Sequence, residues 1–168
     1  NQQIPLGEDI DLDALRSVLS VTDEDLSDAE IQEIKDRGYF DLEQDLLLPL
    51  LTKQANFWEQ IVDPRYYVGS DGYKHFDAGK TALEEGERYL ILPGYSPENT
   101  PGNTWIATSA NSTMDIAAAR SGLEMTIALE EKVKRPGYEE AVLKWEMLKE
   151  QLPEYMYDSD GALKEWAL

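Results

Sequence analysis

The residues of this chain that could do chemistry are gathered in one stretch, Leu92 to Asp115, around one carboxylate, Glu98. Glu98 stands between Pro97 and Asn99, with Tyr95 and Trp105 close by in sequence. Three prolines, two glycines and three asparagines in this stretch exclude a regular helix or an inner strand, because proline lacks the donor and glycine weakens both. The stretch is therefore a shaped loop presenting a single acid among aromatic side chains. Burial beside aromatic rings disfavours the charged form of a carboxyl group and so lets it hold a proton that it can donate. A loop of this kind suits general acid chemistry or sugar binding. The competing reading is a proline-rich connection whose glutamate is merely solvated.

Composition narrows the ligands. The chain has 168 residues, enough for one domain with a core, and a formal net charge of −19. That charge argues against nucleic acid, since no basic patch could offset phosphate repulsion, and against anionic membrane surfaces. Neutral oligosaccharides or glycans remain compatible. With no cysteine there is no disulfide framework, thiolate metal site or cysteine nucleophile. His75 is the single histidine, which excludes a multi-histidine metal site, and no Gly-x-Ser-x-Gly elbow accompanies it. Asp9, Asp11 and Asp13 alternate as in a calcium loop, but Ala14 stands where that loop needs glycine and Ser20 where it needs glutamate. Neither a metal nor a cofactor is expected. The sequence shows no signal peptide and no apolar run of transmembrane length. It begins at Asn1 and stops at Ala167-Leu168, which suggests a piece of something larger.

The elements that must position the loop are mainly helical. Leu12, Leu15, Val18 and Leu19 suit a short helix; Ser27 and Glu30 form a capping box for the next, which Gly38 ends. Asp41 to Val62 is strongly helical, with Leu47, Leu50, Leu51, Gln54, Phe57, Trp58 and Ile61 near one face, widened by Leu46 and Leu48. Pro49 must kink this helix or mark its first turn. Tyr66–Val68 and Tyr73–Phe76 flank Gly69-Ser70-Asp71-Gly72 as a β-hairpin, with His75 on its surface and without chemistry. Residues 77–88 read as a loop, and Tyr89–Leu92 as a short strand leading into the acid stretch. Beyond it, Ser112 and Asp115 form a second capping arrangement, opening a helix to about Lys134. Ile116, Leu123 and Ile127 make one face of that helix. Met114, Ala117, Ala118, Ser121, Gly122, Met125, Ala128 and Leu129 make another, mostly of small residues. Pro136-Gly137 separates it from a helix over 138–152 with Ala141, Trp145, Leu148 and Leu152 on one stripe. A second hairpin is expected around Asp158-Ser159-Asp160-Gly161. The helices near 41–62, 113–134 and 138–152 should pack antiparallel, leaving apolar helix faces uncovered.

The ordered set Ser96-Pro97-Glu98-Asn99, Thr113-Met114-Asp115, Leu152-Pro153 and Asp160-Gly161-Ala162-Leu163-Lys164-Glu165-Trp166 resembles the catalytic domain of glycoside hydrolase family 95. Leu48-Pro49-Leu50-Leu51 with Phe57-Trp58 resembles the helix that precedes the family's acid loop. The resemblance covers residues 39–168; residues 1–38 form an unmatched acidic helical segment. It implies a mainly α fold, a fragment of an (α/α)6 toroid with short β-hairpins. It implies an inverting hydrolase of the α-L-fucosidase type, in which Glu98 falls on the general acid and Glu165 and Trp166 border the cleft; beside the acid, Tyr95 and Trp105 are candidates for a sugar-stacking face and Asn99 for a further substrate contact. The family's water is handled by a His-x-Asn-x-Asn segment helped by a distant aspartate, and this sequence contains no such segment. The chain is thus expected to carry the acid without the water-activating groups and to be inactive alone. The remainder of a parent catalytic domain, or self-association, would complete it, in a parent of bacterial type that is secreted or periplasmic. The alternatives are a non-catalytic carbohydrate-binding relative and a helical interaction module.

Overall fold

The computed structural model describes residues 3–6, 27–95 and 108–166. The short helix expected around Leu12 to Leu19 lies outside the described residues. The chain divides into two units, residues 1–50 and 51–168.

In the first unit, α1 (Asp28–Arg37) starts as its sequence requires. Ser27 accepts the Glu30 N–H at 3.3 Å, Glu30 reaches back to the Ser27 N–H at 2.7 Å, and Gly38 ends the helix at φ 76°. β1 (Gln3–Pro5) pairs antiparallel with β2 (Tyr39–Asp41), Ile4 opposite Phe40. That pairing spans more than thirty residues of chain and leaves no local signal in the sequence. Asp41 then caps the next element, accepting the Glu43 and Gln44 N–H groups at 3.0 and 3.2 Å. Burial raises the Asp45 carboxyl, outweighing the pull of the Asp41 N–H and of the Arg37 guanidinium paired with it.

The helix expected from Asp41 to Val62 is present in two windings, a π-helical segment at Leu42–Leu47 and then α2 (Leu48–Ile61). Pro49 lies in the first turn of α2, one of the two positions its chemistry allows. An α-helical Pro49 could not donate to the carbonyl four residues back and its ring would press on it, so the wider winding before it relieves both. The wider turn also shifts the phase of the residues before Leu48 relative to the stripe of α2. Leu48, Leu51, Ala55 and Trp58 are buried, whereas Leu47 and Phe57, expected to face inward, are 44% and 51% exposed.

In the second unit the expected hairpin forms between β3 (Tyr66–Val68) and β4 (Lys74–Phe76), Tyr67 opposite His75, with Gly72 at φ 79° in the turn. His75 is at the surface, its Nε2 3.0 Å from Asp71 and its ring stacked on Tyr67. β5 (Arg88–Tyr89) joins the other edge of β3. The strand expected over Tyr89–Leu92 therefore holds the ladder only at its start. β6 (Gly94–Tyr95) and β7 (Thr108–Ser109) pair antiparallel. α3 (Thr113–Val133) and α4 (Tyr138–Glu150) are joined through Pro136-Gly137, Gly137 lying at φ 79°.

The three helices pack antiparallel, as expected. Thr126 on α3 donates to the Leu51 carbonyl at 3.0 Å, while Gly122, one turn earlier, faces Gln54, one turn later on α2. Arg120 near the start of α3 donates to the Leu152 and Pro153 carbonyls beyond the end of α4, at 3.3 and 3.0 Å. Ala55, Trp58, Ile91, Ile116, Ala119, Leu123, Ile127, Trp145, Leu148 and Leu152 form the core. Of the two apolar faces expected on α3, the Ile116–Leu123–Ile127 face is buried. On the other, Gly122 and Leu129 are buried, but Met114, Ala117, Ala118, Ser121, Met125 and Ala128 are exposed. The fold is mainly α with short two- and three-residue strands.

Candidate functional site

The head of α3 gathers the sequence motifs, and hydrogen bonds of its first residues do the gathering. Ser112 is the N-cap: its Oγ accepts the Asp115 N–H at 3.1 Å and donates to the Asp115 carboxylate at 2.8 Å. The capping role expected of Asp115 is therefore real. Both Asn111 and Ser112 are fully buried.

One side of this junction holds the neck of the acid loop. Asn111 Oδ1 accepts the Ile91 N–H at 2.7 Å, and the Asn111 N–H donates to the Ile91 carbonyl at 3.1 Å. Asn111 does this from a left-handed backbone, φ 53°, which asparagine tolerates better than most residues. Two residues past Ile91 come Pro93 and then β6, paired with β7 as Gly94 to Ser109 and Tyr95 to Thr108. Gly94 sits where space is tight. A Cβ would lie 3.1 Å from both the Ser109 carbonyl oxygen and the Ser112 nitrogen, backbone atoms that cannot rotate away.

The other side holds the Glu165-Trp166 segment. Thr113 donates its N–H to the Glu165 carbonyl at 2.8 Å and its hydroxyl to the Lys164 carbonyl, and Ser112 forms a β-bridge with Trp166. The segment arrives through the turn expected at Asp158–Gly161, where Gly161 is at φ 84° and Tyr157 bridges Leu163. That turn forms with single bridges rather than strands. Glu165 is exposed, and Trp166 is half-buried with its indole N–H unpartnered among the described residues.

The site residues named from sequence are thus placed unevenly. The backbone of Tyr95 lies in β6 at the loop neck, and Glu165 and Trp166 are tied to the same helix head. Glu98, Asn99 and Trp105 lie outside the described residues. The convergence of residues 91–95, 108–113 and 164–166 was not legible from spacing. Only the polar cluster Asn111-Ser112-Thr113 before an apolar-periodic run hinted at it. Among the described residues of the second unit, open clefts of about 680 and 480 Å³ are found. The larger is lined by Arg88, Arg120 and Glu154 with acidic neighbours, the smaller by Tyr89, Glu59, Lys144 and apolar residues of α4. Burial, and then the Glu59 charge, raise the Tyr89 hydroxyl. Glu165 and Trp166 are not among the described residues that line either cleft. No cluster of three or more histidine, cysteine, aspartate or glutamate side chains among the described residues is arranged to hold a metal, and no described helix is long and apolar enough to cross a membrane.

The family model for the Glycosyl hydrolase family 95 catalytic domain matches residues 44–168. The chain belongs to this family. The match includes the acid stretch, the head of α3 and the Glu165-Trp166 segment; the fold joins the neck of that stretch, the helix head and the segment at one place. Membership makes the chain part of a glycoside hydrolase, with glycans as the substrate class. No curated protein matches the chain.

Proposed function

We propose that this chain carries the general-acid part of an inverting α-L-fucosidase, and that the groups activating water are not among its residues. The observation that carries the reading is the family 95 match over a stretch containing Ser96-Pro97-Glu98-Asn99. Protonated Glu98 donates to the departing glycosidic oxygen while water attacks the anomeric carbon from the opposite face. Tyr95, Asn99, Trp105, Glu165 and Trp166 hold the sugar, with the aromatic faces stacking on it. The attachment of Glu165 and Trp166 to the helix that follows the loop supports this assignment, because it brings two separate motifs to one end of the fold.

The larger architecture follows as part of the proposal. Residues 39–168 form part of an (α/α)6 toroid, and the exposed stripe of α3 and the exposed Leu143 and Met147 of α4 are surfaces for further helices. The parent is secreted or periplasmic. In the complete catalytic domain, Glu98→Gln should lower kcat on an α-1,2-fucosyl disaccharide by roughly a hundredfold or more. An aryl fucoside with a good leaving group should suffer less, since it needs little protonation. The present chain alone should turn over neither substrate. Equal activity of parent and variant on the disaccharide removes Glu98 from the mechanism, and turnover of an aryl fucoside by this chain places the base within it.

A further inference from the structure

One face of the sheet formed by β3, β4 and β5 gathers side chains that the acid site does not use. Tyr66 lies opposite Phe76, and Val68 opposite both Lys74 and Arg88, so these residues share a face, while Tyr67, His75 and Tyr89 share the other. The ring contacts agree with that register. Tyr66 and Phe76 lie 4.9 Å apart between centroids, tilted by 37°, and Tyr67 stacks on His75. Phe76 is 61% exposed and Tyr66 38%, so the pair presents aromatic surface to water. Arg88, on the same face, lines the cleft of about 680 Å³ together with Arg120 and Glu154. Its Nη1 donates to the Glu87 carbonyl at 3.1 Å, and no other hydrogen bond of this guanidinium is found among the described residues. The exposed Glu154 carboxylate stands 3.7 Å from Arg88 Nε and 3.8 Å from Arg120 Nη2, beyond hydrogen-bond reach of either.

What this face offers defines its ligand. Exposed aromatic rings pack against the apolar C–H side of a sugar ring. A guanidinium beside a carboxylate supplies a donor and an acceptor together, and a sugar hydroxyl needs both. The cleft is lined by five glutamates and two arginines, an excess of negative charge that repels anions. No three carboxylates among the described residues are arranged to hold a metal ion. From Tyr66 the sheet runs two residues along and one strand across to Arg88, about 8 Å between backbones, which suits an oligosaccharide rather than a single ring. We propose that this sheet face is a glycan-binding surface built from residues outside the acid loop: Phe76 and Tyr66 stack on one ring of a neutral oligosaccharide, and Arg88 and Glu154 bond the hydroxyls of another. Its role is to retain long glycans, not to cleave them. The ligand class rests on family membership, and nothing in the proposal depends on Glu98.

The test measures binding of the present chain to an immobilised neutral α-1,2-fucosylated pentasaccharide by surface plasmon resonance, with a sialylated pentasaccharide as the anionic probe. Phe76→Thr removes the ring and keeps a strand former, and Arg88→Met keeps the stem and removes the guanidinium. Each is made both in the parent sequence and together with Trp166→Ala, which weakens the candidate acid site. In both backgrounds each should weaken binding of the neutral probe by about tenfold, and the sialylated probe should bind the parent chain at least about tenfold more weakly than the neutral one. His75→Gln, on the opposite face of the same hairpin, should stay within about twofold of the parent. No binding of the neutral probe, tighter binding of the sialylated one, or an equal loss with His75→Gln would each overturn the proposal. Binding that Trp166→Ala abolishes, and that Phe76→Thr and Arg88→Met leave intact in the parent sequence, overturns this surface and leaves the acid-site reading standing. Binding that Phe76→Thr and Arg88→Met weaken and Trp166→Ala does not supports this surface and counts against Trp166 as a sugar contact. Circular dichroism checks each fold, and should Phe76→Thr unfold the chain, Arg88→Met decides.

Discussion

Removing the Arg135 guanidinium should expose how much the end of α3 depends on one buried charge. Glu130 is only 2% exposed, and its carboxylate receives Arg135 Nε at 3.0 and 3.2 Å as well as a closer contact from Nη2. Arg135 reaches it because Lys134 ends the helix at φ 57° and turns the chain back. The same guanidinium donates to Thr52 on α2 at 2.9 Å, so the pair also joins two helices. Arg135→Met leaves a carboxylate in the interior with no counter-charge, a change that typically costs about 3–5 kcal/mol. The Arg135 side chain is itself 36% exposed, so water can take part of its place, and the expected loss is at the lower end, about 3 kcal/mol. At a urea slope of about 2 kcal/mol per M, the unfolding midpoint should fall by about 1.5 M with the slope unchanged. The double variant Glu130→Met/Arg135→Met removes both charges and should return to within about 1 kcal/mol of the parent chain, since apolar side chains of similar volume replace buried ion pairs at little cost. The assay is urea unfolding followed by tryptophan fluorescence for the parent, both single variants and the double. A loss below about 1 kcal/mol for Arg135→Met, or additive effects in the cycle, would refute the account of Glu130 as a charge that needs its partner.

Two further outcomes follow from the second unit. Burial alone would raise the Glu87 carboxyl, but the Glu84 N–H at 2.6 Å and the Lys80 ammonium at 2.9 Å outweigh it and hold it below the usual range, while Glu87 holds Lys80 above its own. The tie therefore contributes fully above the unfolded carboxylate value of about 4.3 and is lost as pH falls through the lower folded value; on the alkaline side it is full below about 10.4 and lost above. Lys80→Met should flatten the melting temperature against pH on the acid side, and an unchanged acid slope would count against the pair. Ser112→Ala removes the acceptor of the Asp115 N–H and should destabilise the chain by about 1 kcal/mol in the same urea assay, whereas no shift would mean that the cap is replaceable by water.

Local chemistry made much of this chain legible from sequence. Ser27 with Glu30, Ser112 with Asp115, Gly38, and the Gly69–Gly72 turn are features whose partners lie within four residues, and each was found where its pattern placed it. The helices over 113–133 and 138–150 were equally readable, because apolar periodicity reports a face whatever covers it. Periodicity failed at Leu47, where the π-winding before Pro49 rotates the stripe by an amount that counting residues cannot supply, and at Phe57, which sits on the flank of the Leu51–Ala55–Trp58 stripe within α2. It also gave α3 two apolar faces without saying which one this chain buries.

The sequence by itself determined the class of element at most positions and, through the ordered motifs, the family. Both depend on residues that act within one turn or on short spacings that survive as a pattern. The tertiary structure alone decided that the loop neck, the start of α3 and the Glu165-Trp166 segment meet. Those contacts join Ile91 to Asn111 and Thr113 to Glu165, across 20 and 52 positions, and run largely through backbone carbonyls and N–H groups that every residue possesses. A hydrogen bond to the main chain carries no signature of its partner's side chain, so it becomes visible only when the helices have packed and set the two backbones side by side.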